Sequence, residues 1–316
     1  MHPHLAPPLW PEPQPRPGRF AATIVRNSAE LFEDPEAGAA LRKCAVAMIG
    51  LPDDTGVSMN HGRAGARNGP SAFRSALAGY GVASPADEPD DRPAYPRVFD
   101  AGDVLVGRDF GETHDRVTEV VQHLVGRGFF PIGIGGGHDL TFPFVRAVAN
   151  NAPLDGLYID AHLDVRPEPG SGMPFRALIE GGLARHLHVV GLNPLANTRE
   201  HMRYFTSHGG QMIARHEIAT RVPEWVHAHD RSRGVFVSLD LDALDAAHAP
   251  GVSALNPCGL APHEVEPVIA AAARCGTVRC FDIMELNPDH DADGRTARLA
   301  VHMFLTFLRG FAERRP

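Results

Sequence analysis

Three short segments carry acids and histidines at spacings able to hold metal ions: Gly135-Gly136-Gly137-His138-Asp139, Asp160-Ala161-His162-Leu163-Asp164 and Asp240-Leu241-Asp242. Each follows an apolar stretch, FFPIGI, GLYI and GVFVSL respectively. In an extended chain residues i, i+2 and i+4 point the same way, so D-x-H-x-D and D-x-D each aim their side chains into one space. Taken singly, a strand-end Asp is a helix cap or a turn residue, and a His belongs to the surface or the core. GGGHD alone is a weak phosphate loop, with no Lys and without the G-x-G-x-x-G spacing. Taken together, so many carboxylates in one cavity would repel one another and resist desolvation unless cations neutralised them. Asp160, Asp164, Asp240 and Asp242 bring four negative charges, which two divalent ions balance, and His138 and His162 add two nitrogens. Oxygen- and nitrogen-rich ligation without Cys suits Mn2+ better than a structural Zn2+. Two such ions about 3.5–4 Å apart can hold a hydroxide near neutral pH.

Elements must bring these segments together. Apolar runs predict strands at 45–50, 97–100, 129–134, 156–160, 187–191, 211–214, 234–239 and 278–284, several apolar throughout as strands buried on both faces require. Amphipathic segments predict helices at 69–79, 113–127, 140–150, 197–207, 262–275 and 295–312. Strand–helix alternation implies a mostly parallel α/β sheet. Eight strands leave two architectures open, an open doubly wound sheet and a TIM barrel. In either, the carboxyl ends of strands form the site crevice. Residues 1–18 hold seven prolines and read as an extended arm outside any element, leaving 19–316 as one catalytic domain. The Pro/Asp-rich stretch 84–96 reads as a surface loop.

Composition narrows the function classes. The 316 residues include 30 Lys and Arg against 38 Asp and Glu, a formal charge of −8 that argues against a nucleic-acid groove or an anionic membrane surface. No apolar run approaches the roughly 20 residues of a membrane helix, and the N-terminus lacks a secretion-signal layout. Cys44, Cys258, Cys275 and Cys280 form no C-x-x-C pair, which fits a reducing, cytoplasmic setting.

The motifs GGGHD, YIDAHLDVR, SLDLDALD with PGVSA after it, and MELNPDHDADGRTARLA together resemble the ureohydrolase family of arginase, agmatinase and formimidoylglutamase. The segments Gly50–Asp53 and Asn60–Pro70 resemble that family's N-terminal strand and loop, so the likeness spans about 45–305. The resemblance implies a three-layer α/β/α sandwich with an eight-stranded, mostly parallel sheet and two Mn2+ per subunit. It places His138 and Asp164 on one ion, His162 and Asp242 on the other, and Asp160 and Asp240 as bridges. It also casts Glu285 as the carboxylate that pairs with a guanidinium or amidine, a planar cation suited to paired charge-assisted hydrogen bonds. Arginase and agmatinase types carry a proton-shuttling His in the loop after D-A-H-x-D; here that loop, 169–176, has none. Ser171-Gly172-Met173-Pro174-Phe175-Arg176, Arg166 and Pro250–Ala254 are more similar to formimidoylglutamase, whose substrate carries two carboxylates that Arg166 and Arg176 would meet. Met173 departs from that pattern, which has Thr or Asn. The implied reaction hydrolyses N-formimidoyl-L-glutamate to L-glutamate and formamide, with Asp164 passing a proton to the leaving nitrogen. Alternatives are agmatinase, arginase or a guanidino-acid hydrolase releasing urea, a mononuclear zinc amide hydrolase, and an inactive scaffold, against which the complete ligand set speaks. The family resemblance also implies a homo-oligomer, trimer or hexamer, acting on a small molecule.

Overall fold

The computed structural model describes residues 2–11, 16–29, 31, 35–81, 95–150, 152–229 and 234–314. Among them ten strands form one open sheet: β1 Leu5–Ala6, β2 Val25–Arg26, β3 Val46–Leu51, β4 Val98–Val104, β5 Phe130–Gly135, β6 Leu154–Ile159, β7 Ala184–Val190, β8 Gln211–Ile213, β9 Val235–Asp240 and β10 Val278–Met284. Their order is β1-β4-β3-β5-β10-β9-β6-β7-β8, with β2 also on β4. The two ends of that order do not meet, which removes the barrel. Every pairing is parallel except β1 with β4.

Period-two alternation on apolar strands creates two cores. Val235, Val237 and Leu239 of β9 enter one, together with Phe73, Val268, Phe304 and Phe307 from the helices Gly69–Leu77, Pro262–Arg274 and Arg295–Ala312. Phe236 of β9 enters the other, with Val121, Phe144, Phe175 and Phe205 from the helices Phe110–Gly126, Thr141–Ala149, Pro174–Glu180 and Arg199–Ser207. A helical layer on each face is the α/β/α sandwich expected of doubly buried parallel strands.

The sheet has ten strands rather than the expected eight, and both additions are two-residue strands at the β4 edge. One lies inside the proline-rich arm, where Leu5 and Ala6 pair with Val104 and Asp103. Gly102, at φ 96°, admits this approach, since a Cβ there would stand 1.9 Å from the Ala6 carbonyl oxygen. The arm is anchored further by Trp10, whose Nε1 donates to Asp100 Oδ2 at 2.9 Å. Asp100 in turn accepts two bonds from the buried Arg74 guanidinium, the paired geometry a buried charge requires. The expected loop at 84–96 lies, except for its last two residues, outside the described residues.

Candidate metal centre

Strands β5, β10, β9 and β6 are consecutive in the sheet, and the chain leaving their carboxyl ends delivers His138, then Glu285, then Asp240 and Asp242, then Asp160, His162 and Asp164. The three motifs therefore converge because the middle of the sheet places their strands side by side.

Local geometry differs from simple continuation of the strands. Strand β6 stops at Ile159, and the Asp160 carboxylate folds the chain by accepting the backbone N–H of His162 at 2.6 Å on Oδ1. Asp240 does the same for the N–H of Asp242, at 2.8 Å. One oxygen of each Asp thus makes an Asx-turn, while the other reaches His138 Nδ1, at 3.2 Å for Asp160 and 3.0 Å for Asp240. Asp164 completes the ring of carboxylates around His138 Nδ1 at 2.9 Å. Its backbone sits at φ 48°, and that of Glu285 at φ 66°. Two non-glycine residues held left-handed in one site are a strain that surrounding structure must enforce. For Glu285 that enforcement includes an N–H bond to the Gly136 carbonyl at 2.8 Å.

Two groups of ligand-capable atoms result, each drawn together within 4.8 Å: His138, Asp160, Asp164 and Asp240, and beside it Asp160, His162 and Asp242. Asp160 belongs to both, whereas Asp240 lies with the first only. His162 Nδ1 stands 3.1 Å from Asp242 Oδ2. Electrostatics point to missing positive charge. Burial works to lower His138, yet Asp240, Asp160 and Asp164 hold it well above the ordinary histidine range. Asp242, with smaller help from Asp160, raises His162 against burial. Asp160 and Asp240 are themselves pushed up, first by burial and then by neighbouring carboxylates. The cluster draws protons onto its own members, a demand that divalent cations meet without protonation. Among the described residues the buried Asp242 Oδ1 finds no hydrogen-bond donor, an uncommon cost for a charged group unless a cation takes that lone pair. The donor set fits a pair of Mn2+ ions.

Behind His138 runs a line of hydroxyls absent from the expected set. Ser238 donates to Asp282 Oδ1 at 2.5 Å, and Thr141 donates to Asp282 Oδ2 at 3.0 Å. Ser238 and Asp282 are lateral neighbours in the β9–β10 register. With its proton committed to Asp282, Ser238 Oγ can only accept from His138 Nε2, 3.0 Å away. The neutral His138 ring then carries its hydrogen on Nε2 and presents the Nδ1 lone pair to the carboxylates. Ser238 stands two residues before Asp240 on the same strand face, so alternation alone could have marked it; Asp282 is visible only once the strands are paired.

A cavity of about 80 Å³ opens onto the cluster, lined by His162, Asp164, Asp240, Asp242, Glu285 and Arg166, with Asn60, Ser171, Gly172 and Ser253 among the rest. Glu285 is buried, and its Oε1 accepts the His138 backbone N–H at 2.8 Å. Burial pushes its carboxyl up to about 8 against the lowering effect of Ser253. Arg166 is exposed and lines the cavity, with no carboxylate partner among the described residues. Arg176 is elsewhere. Its Nε donates to Glu180 Oε1 at 2.8 Å, one helical turn on, and its guanidinium lies 4.3 Å from the centre of the Tyr204 ring. A local i,i+4 pair and a cation–π contact hold the side chain outside the cavity lining, apart from where the expected substrate contact would lie. Met173 is also outside the lining.

The arginase family model matches residues 44–309. Formimidoylglutamase of Rhodococcus jostii (strain RHA1) is 34% identical over 280 residues, spanning 82% of this chain and 83% of that protein. The mitochondrial guanidino acid hydrolase of Homo sapiens is 30% identical over 279 residues, spanning 83% and 77%. A crystal structure of Trypanosoma cruzi formiminoglutamase with Mn2+ superposes with a TM-score of 0.78 at 32% identity, covering 86% of this chain and 95% of that one.

Proposed function

This chain belongs to the arginase family, and from that premise we propose that it is a binuclear manganese hydrolase of N-formimidoyl-L-glutamate, releasing L-glutamate and formamide. The observation that carries the proposal is the joining, in one cavity, of the His138 and His162 carboxylate clusters, Glu285 and the unpaired Arg166. His138, Asp160, Asp164 and Asp240 would hold one ion, and His162, Asp242 and Asp160 the other. When bound, the ions supply charge neutralisation and a water of lowered pKa as nucleophile.

The residues themselves do the rest. Glu285, fixed by the His138 N–H, receives the cationic amidine and orients its carbon over the cluster. Asp164 lines the cavity and can take the proton given up by the attacking water and return it to the departing glutamate nitrogen. The amidine C–N bond breaks as the new C–O bond is retained, which yields formamide and a free amine. Arg166 offers a guanidinium fork to a substrate carboxylate. A decarboxylated cation such as agmatine would be repelled there. Formimidoylglutamase relatives support this substrate, as does the loop 169–176 without His.

Incubation with Mn2+ and a panel of formimidoylglutamate, arginine, agmatine and guanidinobutyrate tests the assignment. Formamide and glutamate from the first are expected; urea from any of the others as the main product overturns it in favour of the urea-releasing branch. We also assign the protein to the cytoplasm, on its acidic charge and free cysteines, and a trimeric or hexameric assembly, which light scattering reads directly. Among the described residues no helix is long and apolar enough to cross a membrane.

A further inference from the structure

The loop that presents Arg166 is tied to the short helix Thr55–Met59 and to the residue that ends it, Asn60. Ser171 donates its backbone N–H to the Gly56 carbonyl at 2.9 Å. Gly172 donates to Asn60 Oδ1 at 2.7 Å, a side-chain bond between the two segments. Gly172 in turn accepts the Arg166 N–H at 2.9 Å. Space is as tight as the bonding. A Cβ on Gly172 would stand 2.8 Å from Arg166 Cδ and 3.1 Å from Asn60 Oδ1, and one on Gly170, itself at φ 143°, would stand 2.2 Å from Asn60 Nδ2. Asn60, Arg166 and Gly172 all line the cavity. The Arg166 stem is therefore packed against a glycine held by the Asn60 side-chain amide, beside the Ser171–Gly56 backbone bond.

We infer that Asn60 is a positioning residue: by holding Gly172 it fixes where the Arg166 guanidinium stands relative to Glu285, and so selects amidines carrying a carboxylate. The span between a cationic amidine on Glu285 and a carboxylate on Arg166 is a property of this clamp. Loosening it lets Arg166 wander while Glu285, just past β10 and bonded to Gly136 and His138, stays in place. The inference rests on the proposed formimidoylglutamate activity and deepens it.

The test compares wild type, Asn60→Ala, Arg166→Ala and the double variant, all loaded with Mn2+, on formimidoylglutamate and on N-formimidoylpropylamine, which has the amidine and no carboxylate. For Asn60→Ala, kcat/KM on formimidoylglutamate falls about tenfold further than on the carboxylate-free amidine, the difference lying in KM, and Asn60→Ala adds less than about twofold in the Arg166→Ala background. An equal fall on both substrates, or an undiminished effect in the Arg166→Ala background, overturns the inference. Hydrogen exchange gives a second readout independent of turnover: the Gly172 amide exchanges faster in Asn60→Ala, and unchanged exchange removes the clamp. Wild type that releases no formamide overturns the proposed activity and the selectivity with it, while exchange at Gly172 still decides whether Asn60 holds the loop.

Discussion

Asp160 and Asp240 each divide their two oxygens between folding and function, one closing an Asx-turn and the other facing His138 Nδ1. Substituting either removes both at once. Asp240→Ala is expected to retain fewer than two Mn2+ per chain and to lose turnover, as metal analysis on the desalted protein and a formamide assay would show; full metal content with wild-type rate would refute the assignment. The Ser238–Asp282 line acts one step removed, by fixing which nitrogen of His138 carries hydrogen. Ser238→Ala leaves Nε2–H without its acceptor, and Mn2+ affinity should fall about 10–100-fold with the fold retained, measurable by competition with a metal indicator. Glu285→Gln keeps an oxygen for the His138 N–H and removes the carboxylate that would ionise to pair with the cationic amidine. A hydrogen bond to a charged group contributes about 1.5–3 kcal/mol, so kcat/KM should drop roughly 10- to 100-fold while metal content stays. A drop confined to metal content would instead make Glu285 a structural residue.

At the scale of elements, buried polar groups show where the fold is sensitive to acid. His188 on β7 is buried edge-on against the stacked rings of Trp225 and His229. Burial first, and the neighbouring His229 second, lower it from 6.5 to about 4. Between these values the unfolded chain binds a proton that the folded one refuses, so stability is full above pH 6.5 and declines as pH falls toward 4. His188→Leu should flatten the fall of Tm across that window, and a wild-type slope in the variant would place the acid sensitivity elsewhere. Much of this architecture is legible in the sequence for a physical reason: β3, β5, β6, β9 and β10 are buried on both faces and read as apolar runs. β4 runs past its expected end at Asp100 because Asp100 and Asp103 are neutralised by Arg74, a partner some thirty residues away that no local pattern announces. The helices Thr55–Met59 and Pro174–Glu180 are too short for a period to register, and Ile218–His229 hides behind its internal Pro223. The same division holds in the site. The six acids and histidines are legible because each motif is local, whereas Asp282 and Asn60 depend on lateral pairing and loop packing, and Arg176 is withdrawn by neighbours at Glu180 and Tyr204.

For the molecule as a whole, four central strands carry a concentration of negative charge at one edge that the two helical layers alone do not neutralise. Cation binding should therefore stabilise the entire fold. At free Mn2+ one hundred times Kd each ion adds about 2.7 kcal/mol, so chelation should lower Tm by several degrees and restored Mn2+ should recover it. A Tm indifferent to chelator would mean that the cluster satisfies itself by protonation. The most direct measurement is an anomalous difference map at the manganese edge from crystals of the protein grown with Mn2+. Two peaks about 3.5 Å apart, one against His138 and the other against His162 with Asp160 between them, are predicted; a single peak, or none within reach of these side chains, would contradict the binuclear centre.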